Sequence, residues 1–192
     1  APTSDTPQAK LELSEEAKAL PALDMEFYYD NTNAPTDLAK SLDIIAKASA
    51  KWTYACNIRF VFKGEKHADY VSTANTLHGD KGIVKWATQM NGDTIGEAHM
   101  GSEHGPVKNF VMELNSEYFK GNKEQDLILT TTHEMGHVIG LDHSNNSKSV
   151  MYFQSGGKQT LQSSDQAMCL YLRARWSGMS QSQAAAKYNL VF

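Results

Sequence analysis

The chain has 192 residues, 41% of them hydrophobic and 21% charged, with a formal net charge of −4. That length and apolar content suit one domain, or one domain in two lobes around a cleft. The mild acidity, with Lys and Arg scattered along the chain, argues against a nucleic-acid partner, and no apolar run approaches the ~20 residues of a membrane span.

Residues 1–20 are polar and carry Pro2 and Pro7, which suits an N-terminal arm or the remnant of a pro-segment. The first residues, Ala1-Pro2-Thr3, include no Met and no basic-then-apolar leader, and are expected to be a mature end left by removal of a signal peptide. The expected location is therefore extracellular. Ser14-Glu15-Glu16-Ala17 is a helix start inside Leu11 to Leu20. Met25 to Tyr29, rich in aromatics, predicts the first strand. Asn31 to Ala34 turn the chain. Pro35 and Thr36 then open a long helix whose Leu38, Leu42, Ile45, Ala46, Ser49 and Trp52 recur at roughly helical spacing, as a core stripe does. Asn57 to Lys63 alternates as a strand, ended by Gly64-Glu65-Lys66, and Tyr70 to Thr73 predicts a short third strand. Gly82 to Met90 and Thr94 to Met100 flank Asn91-Gly92, the strongest short hairpin signal. Lys108 to Asn115 is a further strand, followed by a polar loop over Gly121 to Asp126.

Cys56 and Cys169 are the chain's two cysteines. In a reducing compartment they would remain two buried thiols. In an exported chain they pair, tying the early helix to a late one, and a Cys56–Cys169 disulfide is the expectation here.

A helix from near Lys123 to Leu141 carries His133-Glu134-Met135-Gly136-His137-Val138-Ile139-Gly140-Leu141-Asp142-His143. Residues four apart share one helical face, so His133 and His137 reach one metal ion. Glu134 stands beside them as a general base for a water. Gly140 suits the end of the helix, because glycine tolerates the backbone conformation a C-terminus often needs. The chain then turns back and delivers His143 as a third nitrogen ligand. Three histidines leave a fourth position open, the pattern of a catalytic rather than a structural zinc site. Further on, Gly156-Gly157 forms a flexible loop, Ser163 or Ser164 caps a late helix over Gln166 to Trp176, and Gln181 to Tyr188 predicts one more short helix.

With every fixed position filled, the motif resembles the HExxHxxGxxH pattern of metzincin zinc metallopeptidases. Ser149-Val150-Met151-Tyr152, eight residues past His143, resembles the family's methionine turn. Ser144 after the third histidine and Tyr152 after the Met resemble the matrixin branch, the matrix metalloproteinases and their bacterial relatives, and a bacterial type is expected. The resemblance is good from about Met90 to Tyr171. It implies an α+β metzincin fold: a twisted, mostly parallel sheet with an antiparallel edge strand, an active-site helix, the Met-turn and a C-terminal helix. It also implies a single catalytic domain over 21–192, with an upper lobe about 21–140 and a lower lobe about 141–192.

The resemblance implies one catalytic zinc ion held by His133, His137 and His143, with Met151 as an apolar floor. Phe153 stands where other metzincins place a tyrosine ligand, so none is expected. An extended substrate would lie along the edge strand Thr94-Ile95-Gly96-Glu97-Ala98 by strand addition, and Tyr152, Phe153, Gln154 and Ser155 would wall the pocket after the scissile bond, favouring a hydrophobic residue there. No Pro-Arg-Cys-Gly-like latency segment occurs in these residues, and neither Asp5 nor Asp24 is singled out as a substitute. His78, His99 and His104 are expected to be solvated residues rather than a second zinc site, and no calcium loop is defined. The expected function is a secreted zinc endopeptidase, a monomer acting on protein or peptide substrates. A zinc-keeping binding protein is disfavoured by Glu134, which a scaffold has no need for. An exopeptidase would require a charged residue closing the cleft, and none stands near the motif.

Overall fold

The computed structural model describes residues 11–67, 81–88, 96–98, 102, 104–117, 119–121, 123–154 and 156–192. Its elements in chain order are α1 (Glu15–Lys18), β1 (Leu23–Tyr29), α2 (Leu38–Cys56), β2 (Ile58–Glu65), β3 (Gly82–Ala87), β4 (Gly96–Ala98), β5 (Val111–Asn115), α3 (Glu124–Ile139), α4 (Ser163–Trp176) and α5 (Gln181–Lys187). Five strands form one sheet in the order β2-β1-β3-β5-β4. All neighbours are parallel except β4, which runs antiparallel to β5 at the sheet's end. The expected mostly parallel sheet with an antiparallel edge strand is present.

Alternation places the strands. In β1, Met25, Phe27 and Tyr29 are buried, while Asp24 and Glu26 on the other face pair with Arg59 at 2.6 Å and Lys63 at 3.0 Å on β2. The amphipathic α2 lays Ile44, Ile45, Ala48, Trp52 and Ala55 into the core. It starts later than Pro35 and Thr36 suggested. The carboxylate of Asp37 accepts a hydrogen bond from the Lys40 amide at 2.8 Å and so caps the helix at Leu38. Asn57, expected in a strand, instead ends α2 with φ of 54°, and β2 begins at Ile58 and runs through Gly64 to Glu65.

The Asn91-Gly92 hairpin expectation is corrected. β3 and β4 are not neighbours, because β5 lies between them, pairing Ile83↔Val111 on one side and Gly96↔Leu114 on the other. Val111, Met112 and Leu114 of β5 are all buried. A strand buried in this way belongs inside a parallel sheet, and its burial outweighs a two-residue turn signal. Asn91-Gly92 and the strand expected over 70–73 lie outside the described residues.

From Ser14 onward the N-terminal segment is docked. The Ser14 hydroxyl caps α1 through the Ala17 amide at 3.1 Å, and the Ser14 amide donates to the Tyr54 carbonyl at 2.9 Å. The late helix begins as a capping box on Gln162, not on Ser163 or Ser164: Asp165 accepts from the Gln162 amide at 2.8 Å. Arg173 of α4 is buried, and its guanidinium donates to the carbonyls of Cys56 at 2.8 Å and Pro21 at 2.6 Å. The expected disulfide is formed: Cys56, the last residue of α2, is bonded to Cys169 of α4 across 113 positions of sequence. No helix among the described residues is long and apolar enough to cross a membrane.

Candidate metal centre

α3 runs up to the site from the side of the sheet. Glu124 and Asp126 in its first turn oppose the positive end of the helix dipole. Lys40 and Lys47 of α2 clamp Glu124 at 2.7 and 2.8 Å. These hydrogen bonds, to Lys40 first, pull the Glu124 carboxyl down to about 2. Trp52 of α2 donates its indole N–H to the Thr132 carbonyl at 2.9 Å, one residue before His133. Register between the two helices is thus set at the site itself.

His133 and His137 project from α3. Gly140 ends the helix at φ of 126°, a conformation that L side chains rarely adopt. The amides of Gly140 and Leu141 both donate to the Gly136 carbonyl, at 3.0 and 2.9 Å, which turns the chain back. His143 then arrives beside the other two. The Nε2 atoms of His133 and His143 each lie 3.1 Å from His137 Nε2. Among the described residues this is the only group of three or more His, Cys, Asp or Glu gathered as metal ligands are.

The outer nitrogens decide what the inner ones can do. His133 Nδ1 donates to the Val150 carbonyl at 2.7 Å, and His137 Nδ1 to the Leu141 carbonyl at 2.7 Å. With those protons on Nδ1, both Nε2 atoms present lone pairs to one point. Burial pushes the His133 imidazole down to about 4 and also lowers His137, so both are neutral, as ligation requires. Ligands about 2.0–2.1 Å from a tetrahedral zinc ion stand ~3.3 Å from one another, close to the spacing here. The residues present fit zinc. Glu134, 5% exposed, sits next to His133 on α3.

Beneath the histidines lies the Met-turn. Met151 is buried, and its sulfur is so close to Gly136 that a β-carbon there would stand 2.3 Å from Sδ and 3.0 Å from Trp52 Cζ2. Gly136 is therefore a working part of the motif, not a filler between the two histidines. The turn is held by Ser149, whose hydroxyl donates to Asp165 at 2.7 Å and accepts from the Met151 amide at 2.9 Å. Ser144 ties His143 to it, its amide donating to the Met151 carbonyl at 2.8 Å. Sequence spacing brought out the candidate ligands and base, and the resemblance added Met151, but Gly136, Ser149, Asp165 and the Val150 and Leu141 carbonyls were missed. A signal for Gly136 was available, since a glycine inside a helix usually marks a close approach.

Fold and site together match a known family. The matrixin family model (peptidase M10) matches residues 22–169. The chain belongs to the matrixin family. The match begins well before Met90, the start of the stretch where resemblance was expected to be good. Matrix metalloproteinase-26 of Homo sapiens is 30% identical over 128 residues, 65% of this chain and 47% of that protein. Macrophage metalloelastase of Oryctolagus cuniculus is 29% identical over 100 residues, 52% of this chain and 18% of that protein. The chain spans between 18% and 47% of the length of the curated relatives it matches. Those relatives are mammalian and viral, and give no support to a bacterial type.

Of the expected substrate residues, Gly96, Glu97 and Ala98 form β4 at the sheet's end. Tyr152 is half-buried, Phe153 is 60% exposed with its ring 4.8 Å from that of Tyr152, and Gln154 is exposed. Thr94, Ile95, Ser155, His78 and His99 lie outside the described residues, and His104 is exposed. The loop expected to be flexible is stapled by Gln159, whose side chain accepts from the Gly156 amide at 3.0 Å and donates to the Gln154 carbonyl at 2.8 Å.

Proposed function

We propose that this matrixin-family chain is a secreted zinc-dependent endopeptidase that cuts protein substrates by general-base catalysis from Glu134. The observation that carries the reading is the convergence of three imidazole nitrogens beside a buried carboxylate, with an antiparallel edge strand at the end of the sheet. His133, His137 and His143 would hold the zinc ion, which when bound would supply a Lewis acid for the scissile carbonyl and for an attacking water. Glu134 takes a proton from the attacking water and hands it to the leaving amine. Burial keeps that carboxylate away from bulk solvent, where its proton transfers would compete with water's. The edge of β4 offers backbone donors and acceptors to an extended peptide, which asks little of the substrate's sequence. The exposed ring of Phe153 beside Tyr152 favours a hydrophobic residue just after the cut. The Cys56–Cys169 bridge suits an oxidising compartment.

The test is mass spectrometry of a complex peptide library incubated with the chain, beside Glu134→Ala. Internal cuts by the wild type and a loss of at least ~10³-fold in the variant, with zinc still bound, are expected. Wild-type-like turnover in Glu134→Ala would sink the mechanism, and cuts confined to peptide ends would sink the endopeptidase reading.

A further inference from the structure

α4 is hydrogen-bonded at both ends to parts of the molecule that flank the histidines. In its first turn Asp165 accepts a bond at 2.7 Å from the Ser149 hydroxyl, which itself accepts from the Met151 amide at 2.9 Å. That end grips the Met-turn. Its last residue, Trp176, donates its indole N–H to the Ser102 carbonyl at 2.6 Å, across 74 positions of sequence. Ser102 follows Ala98, the last residue of β4, by four positions, so chain length keeps their Cα atoms within about 14 Å. β4 packs on α3, the helix that carries His133 and His137.

Between these two contacts α4 is braced. Cys169 is bonded to Cys56, and Arg173 donates to the Cys56 and Pro21 carbonyls. Both braces fall at the C-terminal end of α2, which Trp52 ties to α3 through Thr132. After Trp176 the chain is turned by Arg175, which donates to the Met179 carbonyl at 2.8 Å, and by the Met179 amide, which donates to the Ala174 carbonyl at 3.1 Å. The Trp176 ring is half-buried against the core, which aims its N–H. Asp165 and Trp176 stand eleven positions apart on the helix, a span of about 16 Å.

β4 itself has little to fix it. It is three residues long and lies at the end of the sheet, paired with β5. Ser102 bridges Gly105 and its hydroxyl accepts from the His104 amide at 3.0 Å, but these bonds stay within one turn. The bond from Trp176 joins that turn to the body of the molecule.

We propose that α4 is a strut that sets the separation of the Met-turn from β4, with Trp176 as the positioning residue that holds the β4 side. This rests on the reading of β4 as the strand that receives an extended peptide. Strand addition needs the edge at a fixed distance from the metal centre, because the peptide must reach both at once. Without the indole N–H the Ser102 carbonyl loses this partner and the outer end of β4 loosens. His133, His137 and Met151 keep their own bonds to the Val150 carbonyl, the Leu141 carbonyl and the Ser149 hydroxyl. The consequence falls on binding of the extended peptide, not on the proton transfers of Glu134.

The experiment compares the zinc-loaded wild type with Trp176→Phe, which keeps an aromatic ring and removes the donor. Amide hydrogen exchange at Gly96–Ala98 should quicken by about fivefold, as loss of one hydrogen bond allows. For a peptide of about ten residues that the wild type cuts, KM should rise by a similar factor with kcat unchanged. A version trimmed to about two residues on each side of the same bond should show no change, and inhibition by acetohydroxamate, a small zinc-binding probe, should be unaltered. Phe27→Leu, a core change in β1, controls for general destabilisation and should leave both KM and β4 exchange as in the wild type. Unchanged exchange at β4, equal effects on the long and trimmed peptides, or the same KM rise in Phe27→Leu would each overturn the assignment. If the wild type cuts no peptide, the endopeptidase reading fails, and exchange at β4 alone then decides whether Trp176 holds the strand.

Discussion

Gly136→Ala sets two physical effects against each other. Alanine in a helix interior is favoured over glycine by ~1 kcal/mol, so local propensity predicts a more stable protein. The tertiary structure predicts the reverse. The new methyl would stand 2.3 Å from Met151 Sδ and 3.0 Å from Trp52 Cζ2. The sulfur is flexible, but Met151 is 1% exposed and Trp52 0% exposed, so neither has space to retreat. Overpacking of this kind is unfavourable by ~1–3 kcal/mol. The net expectation is a loss of about 1 kcal/mol, a fall in Tm of ~2–4 °C for a chain of this size. Zinc affinity should fall more clearly, by ~10-fold or more, because a displaced Met151 drags Val150, whose carbonyl orients His133. Thermal melts and competition with a chromophoric chelator read the two quantities. In a Met151→Ala background the same substitution should become neutral or stabilising, a coupling of about 2 kcal/mol. A variant that melts higher, binds zinc as before and shows no coupling to Met151 would refute the reasoning.

Replacing both cysteines by alanine should reduce stability by up to ~4.8 kcal/mol, the loop-closure term for a 113-residue separation. Urea unfolding with and without reductant measures it, and a loss below ~1 kcal/mol would show that packing of α4 on α2 holds without the bridge. Glu124→Gln should lower Tm at neutral pH. The carboxyl is depressed to about 2 in the folded chain against 4.5 ordinarily, so its stabilisation is present above 4.5 and is lost as pH falls toward 2. The Tm difference from wild type should therefore shrink through that window, and a constant difference would refute the pairing with Lys40 and Lys47. Ser149→Ala removes both hydrogen bonds that join the Met-turn to Asp165 and the Met151 amide. The buried Asp165 carboxylate then loses a partner, so a destabilisation of ~1–3 kcal/mol is expected in a denaturant titration. An unchanged midpoint would remove Ser149 from the account.

Most of the site was legible because its ligands sit at local spacings. Helical geometry alone puts His133 and His137 on one face, and Gly140 is where the backbone needs a glycine to turn back. β1 and the long helix were readable from alternation and periodicity for the same reason, whereas the edge position of β4 came only from the resemblance to matrixins. Where local signals competed with burial they failed. Asn91-Gly92 suggested two arms paired directly, yet the more completely buried β5 took the place between them. Capping shifted likewise: Asp37 and Gln162 are the caps used, a residue or two from those expected.

The amino-acid sequence by itself determined the candidate metal ligands, the candidate base and the point where the helix must stop, because each depends on residues within one or two turns of each other. Tertiary structure decided everything that lets those residues work. His133 takes its tautomer from a carbonyl 17 positions away, Trp52 reaches Thr132 across 80, and Ser149 is held by Asp165 from the far helix. These partners are brought together by the burial of α2, α3 and α4 around one core, and no spacing along the chain encodes that.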